Sequence, residues 1–444
     1  MPEVDVAVVG GGFAGLTAGR RLKERGLSVA VLEARDRVGG RTHTIEVEGV
    51  ALDMGGMWVG PGQERLYALA RELGVPTTPQ VMVGQNVVVM DGEAYRGGMP
   101  GALDMEALGA FGAATAEIEA LARQVVPDAP WKTVEADRLD AMTLATWIEE
   151  RIASPGARAL MATVVNSVFA TDPGNLSVLG VARYAALGNG WGRLTGTQGG
   201  AQQDRFVGGV EPLAGKLADL VGDSLRLGWP VRRIVSDGDV TIEGDKGSIS
   251  ARRAVVAIPP TLAGRIVYEP ALPGRRDQLT QRLPAGSVIK FHVVYDRPWW
   301  RNEGLSGQIL APGTPIGVTF DTSPPHAGVI TGFFEGRHAV EMGLRSEGER
   351  RAVVVDLLAK AFGERARETV AYVDLDWSQE PWTRGCYGAH FPPGVWTTYG
   401  QALREPVGCI HWAGTETARA WTGYIDGAIE SGERVAAEVA EALA

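Results

Sequence analysis

Apolar and polar positions alternate along this chain in a few recognisable patterns. Val4 to Val9 is a short apolar run of the kind that forms a parallel strand buried on both faces. Glycines follow it, Leu16 to Arg25 is predicted helical, Gly26 ends that helix, and Leu27 to Leu32 is a second apolar strand. Far along the chain, Ile410 to Ala413 predicts a short strand and Gly414 a turn. From Gly427 onward, Ala428, Ile429, Val435, Ala436 and Val439 recur at helical spacing. Between these ends, "RRAVVAIPP" (Arg252 to Pro260) predicts a strand closed by a proline turn, and "GSVIKFHVVY" predicts a strand carrying Lys290. Periodicity alone sets that lysine on an edge strand with its ammonium in water. Strand, turn, helix and strand in succession point to the α/β class.

Length and composition narrow the picture. At 444 residues the chain is too long for one small core, so two or three domains are expected. A net charge of -10 with interspersed signs argues against nucleic acid, which needs clustered positive charge. Two cysteines, Cys386 and Cys409, argue against a disulfide framework and fit a reducing compartment. "MPEVDVAVVGGG" has no signal-peptide pattern, and no stretch approaches the apolar length that spans a bilayer, so a cytoplasmic protein without a membrane partner is expected. His43, His292 and His390 show no metal-ligand spacing, so no metal is expected.

The chemistry begins at the first glycine cluster. Gly10, Gly12 and Gly15 have G-x-G-x-x-G spacing: one for the tight turn, one for close approach of a pyrophosphate, one for packing helix on strand. The helix amides behind them face the phosphates. Glu33 closes the second strand, where an acid accepts ribose hydroxyls; an acid there disfavours a phosphorylated ribose. Two more glycine pairs, Gly39 and Gly40 before Arg41, then Gly55 and Gly56, predict backbone lying against a large flat ligand.

"EARDRVGGRTHT" resembles the FAD-dependent amine oxidase superfamily, in which R-x-G-G-R follows the ribose-binding acid. "GGAQQDRFVGG", "PAGSVIKFHVVYDRPWWR", "GCYGAHFPPGVWTTYGQALREPV" and "HWAGTETARAWTGYIDGAIESGERVA" resemble the flavin monoamine oxidases in particular. Together these matches run from residue 6 to residue 440, without the membrane-anchoring tail of the animal enzymes.

The resemblance implies FAD, with Arg35, Val231, Trp377 and Gly414 joining the glycines around it. It implies Glu416 accepting from ribityl hydroxyls, and Gly423, Tyr424 and Ile425 offering backbone to the flavin edge. Tyr387 and Tyr424 become the walls of an aromatic cage that orients the amine, and Lys290 holds a water near the flavin N5. Cys386 stands where the family's cysteine forms a thioether to the flavin; Arg384 departs from the small residue of the animal enzymes. Phe169, Leu194 and Gln202 are the expected substrate-pocket residues.

The implied architecture is a discontinuous Rossmann-type FAD-binding domain (1–79, 206–283 and 380–444) with a mixed α+β substrate domain, monoamine-oxidase-like. That second domain would comprise 80–205, mainly helical, and 284–379, with a mixed sheet. The implied reaction converts a primary arylalkyl amine to aldehyde and ammonia, with oxygen reduced to hydrogen peroxide. Competing readings are a polyamine, cyclic-amine or L-amino-acid oxidase on the same fold, and a catalytically silent flavin-binding scaffold. The expected partners are a small-molecule amine and oxygen, and a homodimer stays open.

Overall fold

A computed structural model describes residues 2–444, so the first residue of the expected 1–79 segment lies outside it. Strand β1 (Val4–Val9) lies between β2 (Val29–Leu32) and β3 (Gly247–Val256), paired in parallel with both. The inner residues of β1 are buried, which is why they are apolar without alternation. The eight-stranded sheet around them takes strands from three separated parts of the chain: 4–32, 225–269 and 410–412. Ile410–Trp412 enters beside β3, bringing the late part of the sequence to the first strand's neighbour.

Helix α1 (Phe13–Glu24) starts earlier than its apolar spacing predicts. The chain leaves β1 through Gly10, at φ +108°, and is already helical at Phe13, whose ring and Ala14 are buried. Its end is the expected one. Gly26, at φ +80°, donates to the Lys23 carbonyl while Leu27 donates to Leu22, the paired bonds of a Schellman stop. The C-terminal helix Ile425–Leu443 packs across α1. At their crossing a side chain on Gly432 would collide with the Ala14 carbonyl and the Thr17 side chain, so glycine permits the close approach.

A second body of structure surrounds helix α2 (Pro155–Phe169) and a four-stranded sheet. In that sheet β4 (Val288–Tyr295) is flanked by β5 (Gly328–Glu335) and Ala371–Asp376, with Thr319–Asp321 beyond β5. Every pairing in it is antiparallel; the mixed sheet of this region is a smaller one, in which Leu305–Leu310 pairs in parallel with Gln85–Met90 and that strand antiparallel with Glu93–Arg96. All eight residues of β4 are buried, Lys290 among them. The edge-strand reading of Lys290 therefore fails: neighbours on both sides of β4 close it off from water.

Gly432→Val should lower the denaturant midpoint at unchanged slope, costing about 1–3 kcal/mol through overpacking between the two helices. Chemical denaturation followed by circular dichroism checks this.

Candidate active site

The first wall of the site is the glycine turn after β1. Gly12 bridges to Gly39, so the two glycine clusters form one backbone surface. A Cβ on Gly15 would strike the Gly10 carbonyl, and one on Gly55 would strike the Arg41 carbonyl. Glu33 is buried at the end of β2, with its carboxylate accepting from the Gly11 N–H at 2.7 Å and the Arg35 N–H at 2.9 Å. Arg35 pairs with Glu380 and keeps a buried Nε with no partner in the chain. No acidic residue occupies the first turn of α1, leaving its amides free to attract an anion.

These residues line one cavity of about 660 Å³ that continues to the late segments of the chain. Gly10, Gly12, Glu33, Arg35, Gly39, Gly40, Arg41, Gly55, Gly56 and Val231 border one end. Leu194, Gln202, Cys386, Tyr387, Gly414, Gly423, Tyr424 and Ile425 border the rest. A side-chain-free cradle, a helix N-terminus, a strand-end carboxylate and a spare guanidinium N–H fit an elongated dinucleotide with a pyrophosphate.

Arg41 and Glu416 hold the two halves together. Arg41 Nη1 meets Oε1 at 2.6 Å and Nη2 meets Oε2 at 3.1 Å, a two-pronged bond. Nη1 also donates to the Tyr387 carbonyl at 2.9 Å, and the Ala389 N–H donates to Glu416 at 3.1 Å. Burial works against both charges, yet their mutual attraction prevails: Glu416 lies below the ordinary carboxylate range and Arg41 above its own. The Glu416 carboxylate, expected to take ribityl hydroxyls, is held by Arg41 and the Ala389 N–H and lies just behind the cavity lining.

Tyr387 and Tyr424 come together on the cavity wall from two different loops. The Tyr387 hydroxyl donates to Glu335 at 2.7 Å, and its ring stands edge-on to Phe333. Tyr424 stands edge-on to Trp421, and Tyr184 lies beside it at 6.2 Å. The Thr415 hydroxyl donates to the Tyr424 carbonyl at 2.8 Å, fixing that loop to the turn that carries Glu416.

Lys290 lies directly behind the wall. Its Nζ donates to the Gly55 carbonyl at 2.8 Å and reaches Met57 Sδ at 3.0 Å, with the Trp58 and Phe333 rings about it. Burial pulls its pKa down to about 7, against the pull of Asp53. Burial pushes the Cys386 thiol, on the cavity wall, up to about 12.

Besides Glu416 and Lys290, the expected contacts Gly15, Trp377 and Phe169 fall outside the lining. Trp377 is packed behind Cys386, its indole N–H donating to the Met54 carbonyl at 2.8 Å. Phe169 lies one layer back, its ring 4.7 Å from that of Tyr184, because α2 points it into the helical core. Sequence reasoning missed Trp58, Tyr184, Phe320, Phe333 and Glu335, all of which line the cavity. The alternation Phe333–Phe334–Glu335 was the available signal: it puts Phe333 and Glu335 on one face of β5. Among the described residues no cluster of His, Cys, Asp or Glu is arranged to hold a metal, and no helix is long and apolar enough to cross a membrane.

Comparison with known proteins places this geometry. The flavin containing amine oxidoreductase family matches residues 13–440. A Mycobacterium tuberculosis protein named as a flavin-containing monoamine oxidase, AofH, is 43% identical over 99% of this chain and 97% of its own length. The structure of cyclohexylamine oxidase from Brevibacterium oxydans superposes with a TM-score of 0.95 at 35% identity, covering 100% of both chains. Putrescine oxidase bound to putrescine superposes at 0.94 with 33% identity, covering 99% of each.

Glu416→Gln would leave the Arg41 guanidinium buried beside a neutral partner. The expected cost is about 3–5 kcal/mol, with less dinucleotide retained per chain. Denaturation midpoints and the ratio of cofactor to protein absorbance measure both.

Proposed function

This chain belongs to the flavin containing amine oxidoreductases, and within that family we propose that it takes primary arylalkyl amines to aldehyde and ammonia, with oxygen reduced to hydrogen peroxide. It is an FAD-dependent amine oxidase. The observation that carries the arylalkyl reading is the wall itself: Trp58, Phe320 and Phe333 share the cavity with Tyr387 and Tyr424. Apolar and aromatic area there favours a substrate body of the same kind.

Bound FAD supplies an acceptor for the hydride equivalent leaving the carbon next to nitrogen, and oxygen restores it. The chain's own part in the proposal is positioning. Amides of the α1 N-terminus and the glycine cradle take the pyrophosphate, and Glu33 takes ribose hydroxyls. Tyr387 and Tyr424 bracket the amine and present its α-carbon, while the surrounding rings exclude water. Lys290, with a pKa near neutrality, offers a lone pair as well as N–H donors and so suits the holding of one water. We extend the proposal to a thioether between Cys386, the one thiol on the cavity wall, and the cofactor, and to the division into FAD-binding segments 1–79, 206–283 and 380–444. A primary amine and oxygen are the small-molecule partners.

A peroxide-coupled assay over an amine panel tests the substrate. Tyramine, phenethylamine and benzylamine should be turned over ahead of cyclohexylamine, putrescine and L-amino acids; putrescine or an L-amino acid oxidised without tyramine overturns the choice. Acid precipitation tests the thioether separately. The yellow colour should pellet with the wild type and stay in the supernatant with Cys386→Ala.

A further inference from the structure

Glu335 ends β5 with its side chain on the same face as Phe333, directed at the amine cavity. It is 4% exposed. One carboxylate oxygen accepts from the Tyr387 hydroxyl at 2.7 Å and the other from the Ser167 hydroxyl at 3.1 Å. Both donors are neutral, and among the described residues no cation pairs with it. None of the charged and titratable groups on the elements around it forms an ion pair with it. Tyr387 is its donor and Cys386 a buried thiol; Lys290, on the neighbouring strand β4, directs its Nζ to Gly55 and Met57. Asp172 accepts from the Arg337 backbone N–H, while the Arg337 guanidinium and His338, whose Nδ1 stands 3.7 Å from the Glu341 carboxylate, face a second cavity and make no ion pair with Glu335. On its far side Glu335 borders a second cavity, of about 380 Å³, lined also by Glu149, Arg158 and Asn166.

A buried carboxylate facing a cavity without a cation is costly unless a ligand supplies one. The ligand here is an amine, and alkylamines arrive in water almost wholly as ammonium: at pH 7 only about one in a thousand is neutral. Oxidation needs the neutral nitrogen, whose lone pair assists departure of the hydride. We infer that Glu335 receives the substrate as its ammonium and takes one proton from it before oxidation. The step breaks one N–H bond and forms one O–H bond on the carboxylate, with no change of oxidation state. The second cavity gives the proton a polar way out. Burial also brings donor and acceptor level. It raises Glu335 to about 7, and it lowers Lys290, an alkylammonium beside the same wall, to about 7. The inference rests on the reading that an amine is oxidised between Tyr387 and Tyr424.

The test compares kcat/KM across pH for the holoenzyme with phenethylamine and with β,β-difluorophenethylamine, whose ammonium is far more acidic. At pH 7, Glu335→Gln should lose about 100-fold with phenethylamine and little with the difluoro amine, with Glu335→Asp recovering part of the loss. The wild-type profile with phenethylamine should level off near neutrality and fall as the free amine loses its proton. The Gln variant should instead climb about tenfold per pH unit to the amine's own pKa. Equal losses with both amines would reduce Glu335 to a prop for Tyr387, and a loss confined to putrescine would make it the receptor of a second cation; either overturns the inference. If the variant does not fold, a wild-type profile that climbs to the amine's pKa and stays there overturns it as well. Failure of the wild type to oxidise phenethylamine would sink the arylalkyl reading alone, because the same comparison then runs on cyclohexylamine and its difluoro analogue.

Discussion

The site depends on one buried ion pair. Arg41 belongs to the glycine-rich loop after β2 and Glu416 to a turn almost the whole chain away, and their two-pronged contact fixes both. From the same guanidinium a bond runs to the Tyr387 carbonyl, and from the same turn the Thr415 hydroxyl holds the Tyr424 carbonyl. The aromatic walls are therefore set by backbone anchors, leaving the ring of Tyr424 to pack and the hydroxyl of Tyr387 to bond elsewhere. A charge pair this deep is poor at adding stability over an apolar substitute, but it demands a single geometry.

Charges near the cavity divide by whether they have a partner. Arg41 and Glu416 stay ionised because each is the other's counter-charge. At Lys290, Glu335 and Cys386 burial is the largest influence, outweighing Asp53 at the lysine and Arg41 at the thiol, and it moves all three toward their neutral forms. His292 behaves alike: it donates to the Asp53 carbonyl, accepts from the Thr331 hydroxyl, and falls to about 3. Beside that fixed ion pair, Lys290 and Glu335 are both poised to gain or lose a proton near neutral pH, in a medium where an arriving ammonium is felt strongly.

Local pattern carried much of this into view beforehand. The β1 strand, the glycine spacing, Glu33 and the stop at Gly26 are dictated within short windows, so they were legible. Lys290 was misplaced by periodicity because a strand's edge or interior position is set by partners far away in sequence, here Gly328–Glu335 and Ala371–Asp376. The ion pair of Glu416 with Arg41 went unread because nothing local announces a partner 375 residues away. Phe169 and Trp377 were near the site in sequence, yet each faces a packed layer behind it. Glu335 escaped notice in "GFFEGRH", where an acid before a glycine reads as a surface turn.

The close crossing of α1 and Ile425–Leu443 at Gly432 also bears on how the protein is made. β1 and α1 leave the ribosome first, but the strand beside β3 and the helix covering α1 emerge only after residue 410 and residue 425. Until then the flank of α1 that meets the last helix and the Ala254–Val256 end of β3 have no native cover. The dinucleotide cradle is translated early, but its cavity closes only with residues 414–428, so a full cofactor site must wait for them.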